Sequence, residues 1–167
     1  MQTLDAQAPI LATPGTPVIS VHQLNHHFGE GRLQKQVLFE INLEVYPGEI
    51  VIMTGPSGSG KTTLLSLMGG LRSAQQGSLK ILGQEICGAR QDQLTPLRRR
   101  IGYIFQAHNL LSFLTAKQNV RMALELHDHY LDQDLDAIAV EILKAVGLGD
   151  HVNFYADHLS GGQKQRV

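Results

Sequence analysis

Apolar positions change their spacing along this chain, and each spacing predicts an element. Val37, Phe39, Ile41, Leu43 and Val45 alternate with Glu40, Asn42 and Glu44, the period of two of a half-buried strand. Val18–Leu24 predicts a weaker strand ahead of it, and Pro47-Gly48 a turn behind it. Ile50–Met53 is a short continuous apolar run, which reads as a strand covered on both faces in a parallel sheet. A glycine-rich loop follows, then a helix over Lys61–Leu71 that carries Leu64, Leu65, Leu67, Met68 and Leu71 on one face. Ser78–Leu82 and Gln84–Ile86 read as short strands around Gly83, Asp92–Arg99 as a helix, and Ile101–Phe105 as a second buried strand. Beyond Phe105 the pattern turns helical. Thr115 and Gln118 form a capping-box pattern that opens a helix to about Leu126. Leu135, Ile138, Ile142 and Val146 mark the next, which Gly147 or Gly149 should end. Met1–Pro17 reads as a flexible leader that closes on Pro14-Gly15-Thr16-Pro17. Residues 18–167 then form one α/β domain, of which 107–167 are mostly helical.

Composition narrows the picture without giving it a function. The 167 residues are 43% hydrophobic and 17% charged, as in a globular chain. Fourteen basic against fifteen acidic residues leave a net charge of −1, which gives no electrostatic case for nucleic acid or anionic lipid. The run Arg98–Arg100 reads as a solvated helix end near carbonyls. Cys87 is the single cysteine, so no disulfide framework exists and a reducing compartment fits. No apolar run approaches the ~18 residues of a membrane span, and Met1–Pro17 has no secretory pattern. The expectation is a cytoplasmic protein that meets a membrane only through a partner.

The chemistry begins at Gly55-Pro56-Ser57-Gly58-Ser59-Gly60-Lys61-Thr62, a match to G-x-x-x-x-G-K-[ST] at each defined position. Glycines let the backbone turn tightly and bring N–H groups against phosphate oxygens. A helix that starts near Lys61 aims its positive end at the same anion. Lys61 would place a cation on the β- and γ-phosphates, and the Thr62 hydroxyl would ligate Mg²⁺, with Thr63 completing the cradle. This motif alone does not choose among kinases, GTPases and motor ATPases.

Leu159-Ser160-Gly161-Gly162-Gln163 discriminates. Ser160 and Gln163 could be an ordinary capping box. Two glycines in a first turn, however, cost about 1 kcal/mol each relative to alanine. A helix that needs only a cap gains nothing from them, whereas one whose bare N–H groups must approach a phosphate does. At this point the chain resembles the ATP-binding cassette family, whose signature and following helix are very close to Leu159–Val167. The resemblance runs from about Val18 to Val167. It implies a P-loop NTPase fold of ABC type: an antiparallel β subdomain, a parallel-sheet core and a helical subdomain. It implies ATP and Mg²⁺, and a head-to-tail dimer in which the signature of one subunit touches the γ-phosphate held by the other. It gives Gln106 the role of the Q-loop glutamine, at the Mg²⁺ and the attacking water, and makes Phe28 the ring that stacks on adenine. Within the family the pattern resembles the lipoprotein-release and macrolide-export branch. Phe105–Val120 is especially similar to the DevA-type ATPase of heterocyst-glycolipid exporters. That implies a permease in the inner membrane, a peripheral position on its cytoplasmic face, and a periplasmic adaptor.

The same resemblance implies residues that these 167 do not contain. After the signature helix should come a strand ending in Asp-Glu, which supports Mg²⁺ and polarises the attacking water, and later a switch histidine. The expectation is therefore a chain cut after its signature, inactive by itself, from a parent that hydrolyses ATP. In the wider class, strands from that missing part sit between the two apolar runs Ile50–Met53 and Ile101–Phe105. Both runs should then lack ladder partners and expose apolar faces. The pair His127-x-His129 reads as solvated loop histidines rather than metal ligands. Two rival readings stay open: a non-catalytic nucleotide-binding fragment, and an ABC ATPase without a transporter.

Overall fold

The computed structural model describes residues 15–126, 130 and 132–167. They form two compact units, one ending at Ile101 and one spanning Gly102–Val167. The expected leader falls largely, and the His127-x-His129 pair entirely, outside the described residues.

The first unit is built on an antiparallel sheet of strands β1 (Ile19–Phe28), β2 (Lys35–Val45), β3 (Gln76–Ile81) and β4 (Gln84–Glu85), in the order β2-β1-β3-β4. Val21 stands opposite Leu43 on one side and Leu79 on the other, which fixes the apolar face. Strand β1 is irregular between Val21 and His27, and Gln23 and Glu40 take positive φ of 45° and 47°. Asparagine side chains replace the ladder bonds lost there. Asn42 Oδ1 accepts from the Gln23 N–H at 3.0 Å, and Asn25 Oδ1 from the Glu40 N–H at 3.0 Å. Gly77, at φ +97°, lets β3 approach this bulge, since a Cβ there would lie 2.4 Å from the Gln23 carbonyl oxygen.

Helix α1 (Lys61–Met68) and helix α2 (Gln91–Arg98) belong to the same unit. Leu64, Leu67 and Met68 of α1 and Leu94 and Leu97 of α2 share one core with Val21, Leu24, Leu38, Leu79 and Ile81. Each such side chain is worth roughly 1.5–3 kcal/mol of transfer free energy. Helix α1 is shorter than its pattern predicts. It stops at Gly69-Gly70, where Gly70 has φ +65° and the Leu71 N–H turns back to the Ser66 carbonyl at 2.9 Å. Leu71, expected on the buried face, lies beyond the helix and is 40% exposed, and Leu65, inside it, is 45% exposed. Arg98 donates from Nε to the Gly70 carbonyl at 2.8 Å, so the basic run does meet carbonyls at a helix end. Glu85 locks the β3–β4 hairpin. Burial alone would raise its carboxyl, but hydrogen bonds from Ser78 Oγ and from the N–H groups of Cys87, Leu79 and Ile86 hold it below the usual range.

The two apolar runs read as parallel strands are not strands. Ile50–Met53 and Ile101–Phe105 carry no ladder, and Ile50, Ile52 and Ile104 are 92%, 82% and 72% exposed. The parallel part of the sheet is thus not formed among the described residues. Its one parallel pairing there is the isolated bridge Ala74–Cys87. The reason is physical: a fully apolar run becomes a strand only when neighbours supply its hydrogen bonds and cover both faces, and neither run has them.

The second unit packs helix α3 (Ala116–Leu124) on helix α4 (Leu135–Ala145), with helix α5 (Gly161–Arg166) at its end. The capping box at Thr115 and Gln118 is present, and Asp134 caps α4. Gly147, at φ +74°, follows the end of α4. Ala116, Val120, Leu124, Ala139, Leu143, Leu148 and Leu159 form the core. Buried Asn119 braces the segment after Gln106. Its Oδ1 accepts from the Leu111 N–H at 2.9 Å, and its Nδ2 donates to the carbonyls of Leu111, Leu114 and Thr115.

Candidate functional site

The glycine-rich loop ends at Gly60, which caps α1 in a left-handed conformation with φ 87° and no side-chain cap. A Cβ at Gly60 would lie 2.7 Å from Leu38 Cδ2 and 3.0 Å from the Val37 carbonyl, so only glycine fits against β2. The first turn of α1 therefore presents backbone N–H groups and the positive end of the helix, which is the setting for an anion. Lys61 adds a full charge. Its Nζ donates to the carbonyls of Gly55 at 2.9 Å and Pro56 at 2.7 Å, and to Ser59 Oγ at 3.3 Å. The ammonium group is thereby folded over the loop spanning Gly55, Pro56, Ser57, Gly58, Ser59 and Gly60. Thr62 stands exposed beside it in the first turn. Its hydroxyl is a hard oxygen donor, of the kind that Mg²⁺ takes together with phosphate oxygens.

Phe28 lies in the same unit, at the end of β1 and 38% exposed. Its place relative to the loop follows from the ladder. Leu38, which packs on Gly60, pairs with His26, and Lys35 pairs with Phe28. The two pairings lie three β2 residues apart, about 10 Å of strand. The surroundings of the ring were not legible in the sequence. Arg72 sits with its guanidinium carbon 5.1 Å above the ring centre, and His26 meets it at 5.0 Å and 86°. Burial holds the His26 imidazole below its ordinary value, and the charges of His27 and Arg72 add to this. Gln75 extends the edge of β1, accepting from the His27 N–H at 2.9 Å and donating to its carbonyl at 3.1 Å. No spacing rule links Arg72 or Gln75 to Phe28, so no sequence signal could have found them.

The second unit carries Gln106 and the signature. Gln106 stands exposed in a turn after the irregular segment Ile101–Phe105, rather than at the end of a strand. At Leu159–Gln163 both readings of the sequence meet. Ser160 caps α5, with Oγ accepting from the Gln163 N–H at 3.3 Å and its own N–H donating to Gln163 Oε1 at 2.8 Å. Leu159 anchors the motif in the helical core, and Gln163 Nε2 contacts His151 Nε2 at 2.9 Å. Gly161 and Gly162 have neither positive φ nor any neighbour within 4 Å of an added Cβ. Packing and backbone geometry leave both glycines unexplained, so their bareness is available to something outside the unit.

Comparison with known proteins gives the family. A family profile described as ABC transporter matches residues 38–167. The lipoprotein-releasing system ATP-binding protein LolD 2 of Rhodospirillum rubrum is 41% identical over 152 residues, covering 90% of this chain and 66% of that protein. The macrolide export ATP-binding/permease protein MacB of Aggregatibacter actinomycetemcomitans is 43% identical over 151 residues, covering 90% of this chain and 23% of that protein. A solved dimeric ATP-binding cassette in a post-hydrolysis state, bound to ADP and Pi, matches with a TM-score of 0.80 at 32% identity. That match covers 89% of this chain and 66% of the cassette. The chain therefore spans just under two thirds of LolD 2 and about a quarter of MacB.

Proposed function

This chain belongs to the ABC transporter family, and on that premise we propose that it binds ATP as the nucleotide-binding subunit of an exporter of the lipoprotein-release and macrolide-export branch. The observation that carries the reading is the Lys61 ammonium folded over a glycine loop at the uncapped start of α1. The β- and γ-phosphates lie on Gly55–Thr63, and the base stacks on Phe28. Thr62 would hold Mg²⁺, which would supply charge neutralisation at the phosphates.

A second copy of the subunit places Ser160, Gly161 and Gly162 over the γ-phosphate. The unfilled space around both glycines supports this, since bare N–H groups can approach an anion closely there. Closure of the two copies then moves a separate permease in the inner membrane, with this subunit peripheral on the cytoplasmic face. No described helix is long and apolar enough to cross a membrane by itself. Within the branch, the stretch Phe105–Val120 favours a DevA-type exporter with a periplasmic adaptor. Hydrolysis belongs to the intact protein, with a carboxylate base from outside these residues.

The head-to-tail arrangement has a direct test. In the intact protein, Lys61→Ala and Ser160→Arg each remove turnover, because each spoils both sites of a homodimer. Mixing the two variants creates heterodimers in which one site keeps both Lys61 and a Ser160 from the other copy. Activity is expected to return on mixing. Mixtures that stay inactive would mean that the signature does not act across an interface.

A further inference from the structure

The ring of Phe28 is braced in a way that base stacking alone does not require. It opens on a cleft of about 790 Å³ lined by His26, Phe28, Glu30, Arg72 and Gln75. Arg72 is exposed and forms no ion pair among the described residues, yet its guanidinium stands over the ring instead of extending into water. On the inner side His26, 4% exposed, meets the ring edge-to-face, and its buried Nδ1 has no hydrogen-bond partner among the described residues. A flat, delocalised cation on an aromatic face is an attractive contact, and here it lies on a side chain at a strand end.

We propose that Arg72 is a positioning residue for the nucleotide base: it holds the Phe28 ring in place from one face so that a purine docks on an already ordered platform. This rests on the nucleotide reading of the site. An ordered platform loses less side-chain freedom when the base arrives, and the difference appears as affinity. The contribution is confined to the base. Phe28 pairs with Lys35, three β2 residues from the Leu38 that packs on Gly60, and Lys61 Nζ bonds to Gly55, Pro56 and Ser59.

The test is calorimetric titration of the intact protein with ATP and, separately, with inorganic tripolyphosphate, which has phosphates and no base. Arg72→Ala is expected to weaken ATP about two- to fivefold, the size of an exposed cation–π contact, and to leave tripolyphosphate unchanged. Arg72→Lys, which keeps the cation, is expected to retain most of the ATP affinity. A purely structural fault in Arg72→Ala would weaken both ligands alike, and that result overturns the proposal. So does unchanged or tighter ATP binding, which would make Arg72 a bystander or a competitor for the ring. If the wild-type protein binds neither ligand, the phosphate-loop reading itself falls and takes this inference with it.

Discussion

Lys61→Ala is expected to weaken ATP about 10- to 100-fold while leaving the fold intact. Lys61 makes the site cationic, and its ammonium already sits against the carbonyls of Gly55 and Pro56 rather than out in solvent. Hydrogen bonds to charged groups are worth roughly 1.5–3 kcal/mol each, and about 1.4 kcal/mol is a factor of ten in affinity. Alanine removes the charge and its three donors together. Tripolyphosphate should suffer as much as ATP, because Lys61 acts on the phosphates; this separates its effect from that of Arg72. Calorimetric titration at fixed Mg²⁺ measures both. ATP affinity within a factor of two of the wild type would remove the loop from the binding site.

Leu79→Ala is expected to destabilise the 167-residue chain by about 2–5 kcal/mol, as deletion of a fully buried leucine does. Leu79 is 0% exposed in the middle of β3, opposite Val21, in the core that carries α1. Ile52→Ala in the same chain is expected to cost less than about 0.5 kcal/mol, as surface changes do, because Ile52 is 82% exposed. Urea unfolding of the three proteins compares them. Equal losses for Leu79→Ala and Ile52→Ala would show that Ile50–Met53 is packed after all.

That pair also marks what the sequence could and could not reveal. The antiparallel strands were legible because they carry their own information. Alternation in β2 holds from Ile41 to Val45, but the irregularity at Glu40, with φ 47°, turns Phe39 out to 64% exposure and leaves Leu38 as the buried residue instead, while Gly83 lies between β3 and β4 as read. Helix α3 was legible from its capping box at Thr115 and α4 from its apolar spacing, though the buried positions of α4 are Ala139 and Leu143, with Leu135, Ile138, Ile142 and Val146 only partly buried around them. Ile50–Met53 and Ile101–Phe105 misled as strands for the opposite reason. A continuous apolar run states only that it is to be covered, and its neighbours decide whether a strand forms. The expectation of unpartnered, exposed runs came from the fold resemblance, not from the runs themselves.

The site divides the same way. The phosphate loop and the signature were readable because backbone chemistry needs particular residues at fixed offsets: Gly60 against Leu38, and Ser160 opposite Gln163. The role proposed for Phe28 came from the family resemblance. Its brace of His26 and Arg72 was not legible, since the contact joins the end of β1 to the turn after α1 and leaves no periodicity behind.

The most direct test of the account is a backbone-amide NMR titration of the intact protein with ATP and Mg²⁺. The account predicts large shifts at Gly58, Gly60, Lys61 and Thr62, where N–H groups meet phosphate, and a smaller set around Phe28. Binding that leaves the loop amides unmoved, or no binding at all, would contradict it.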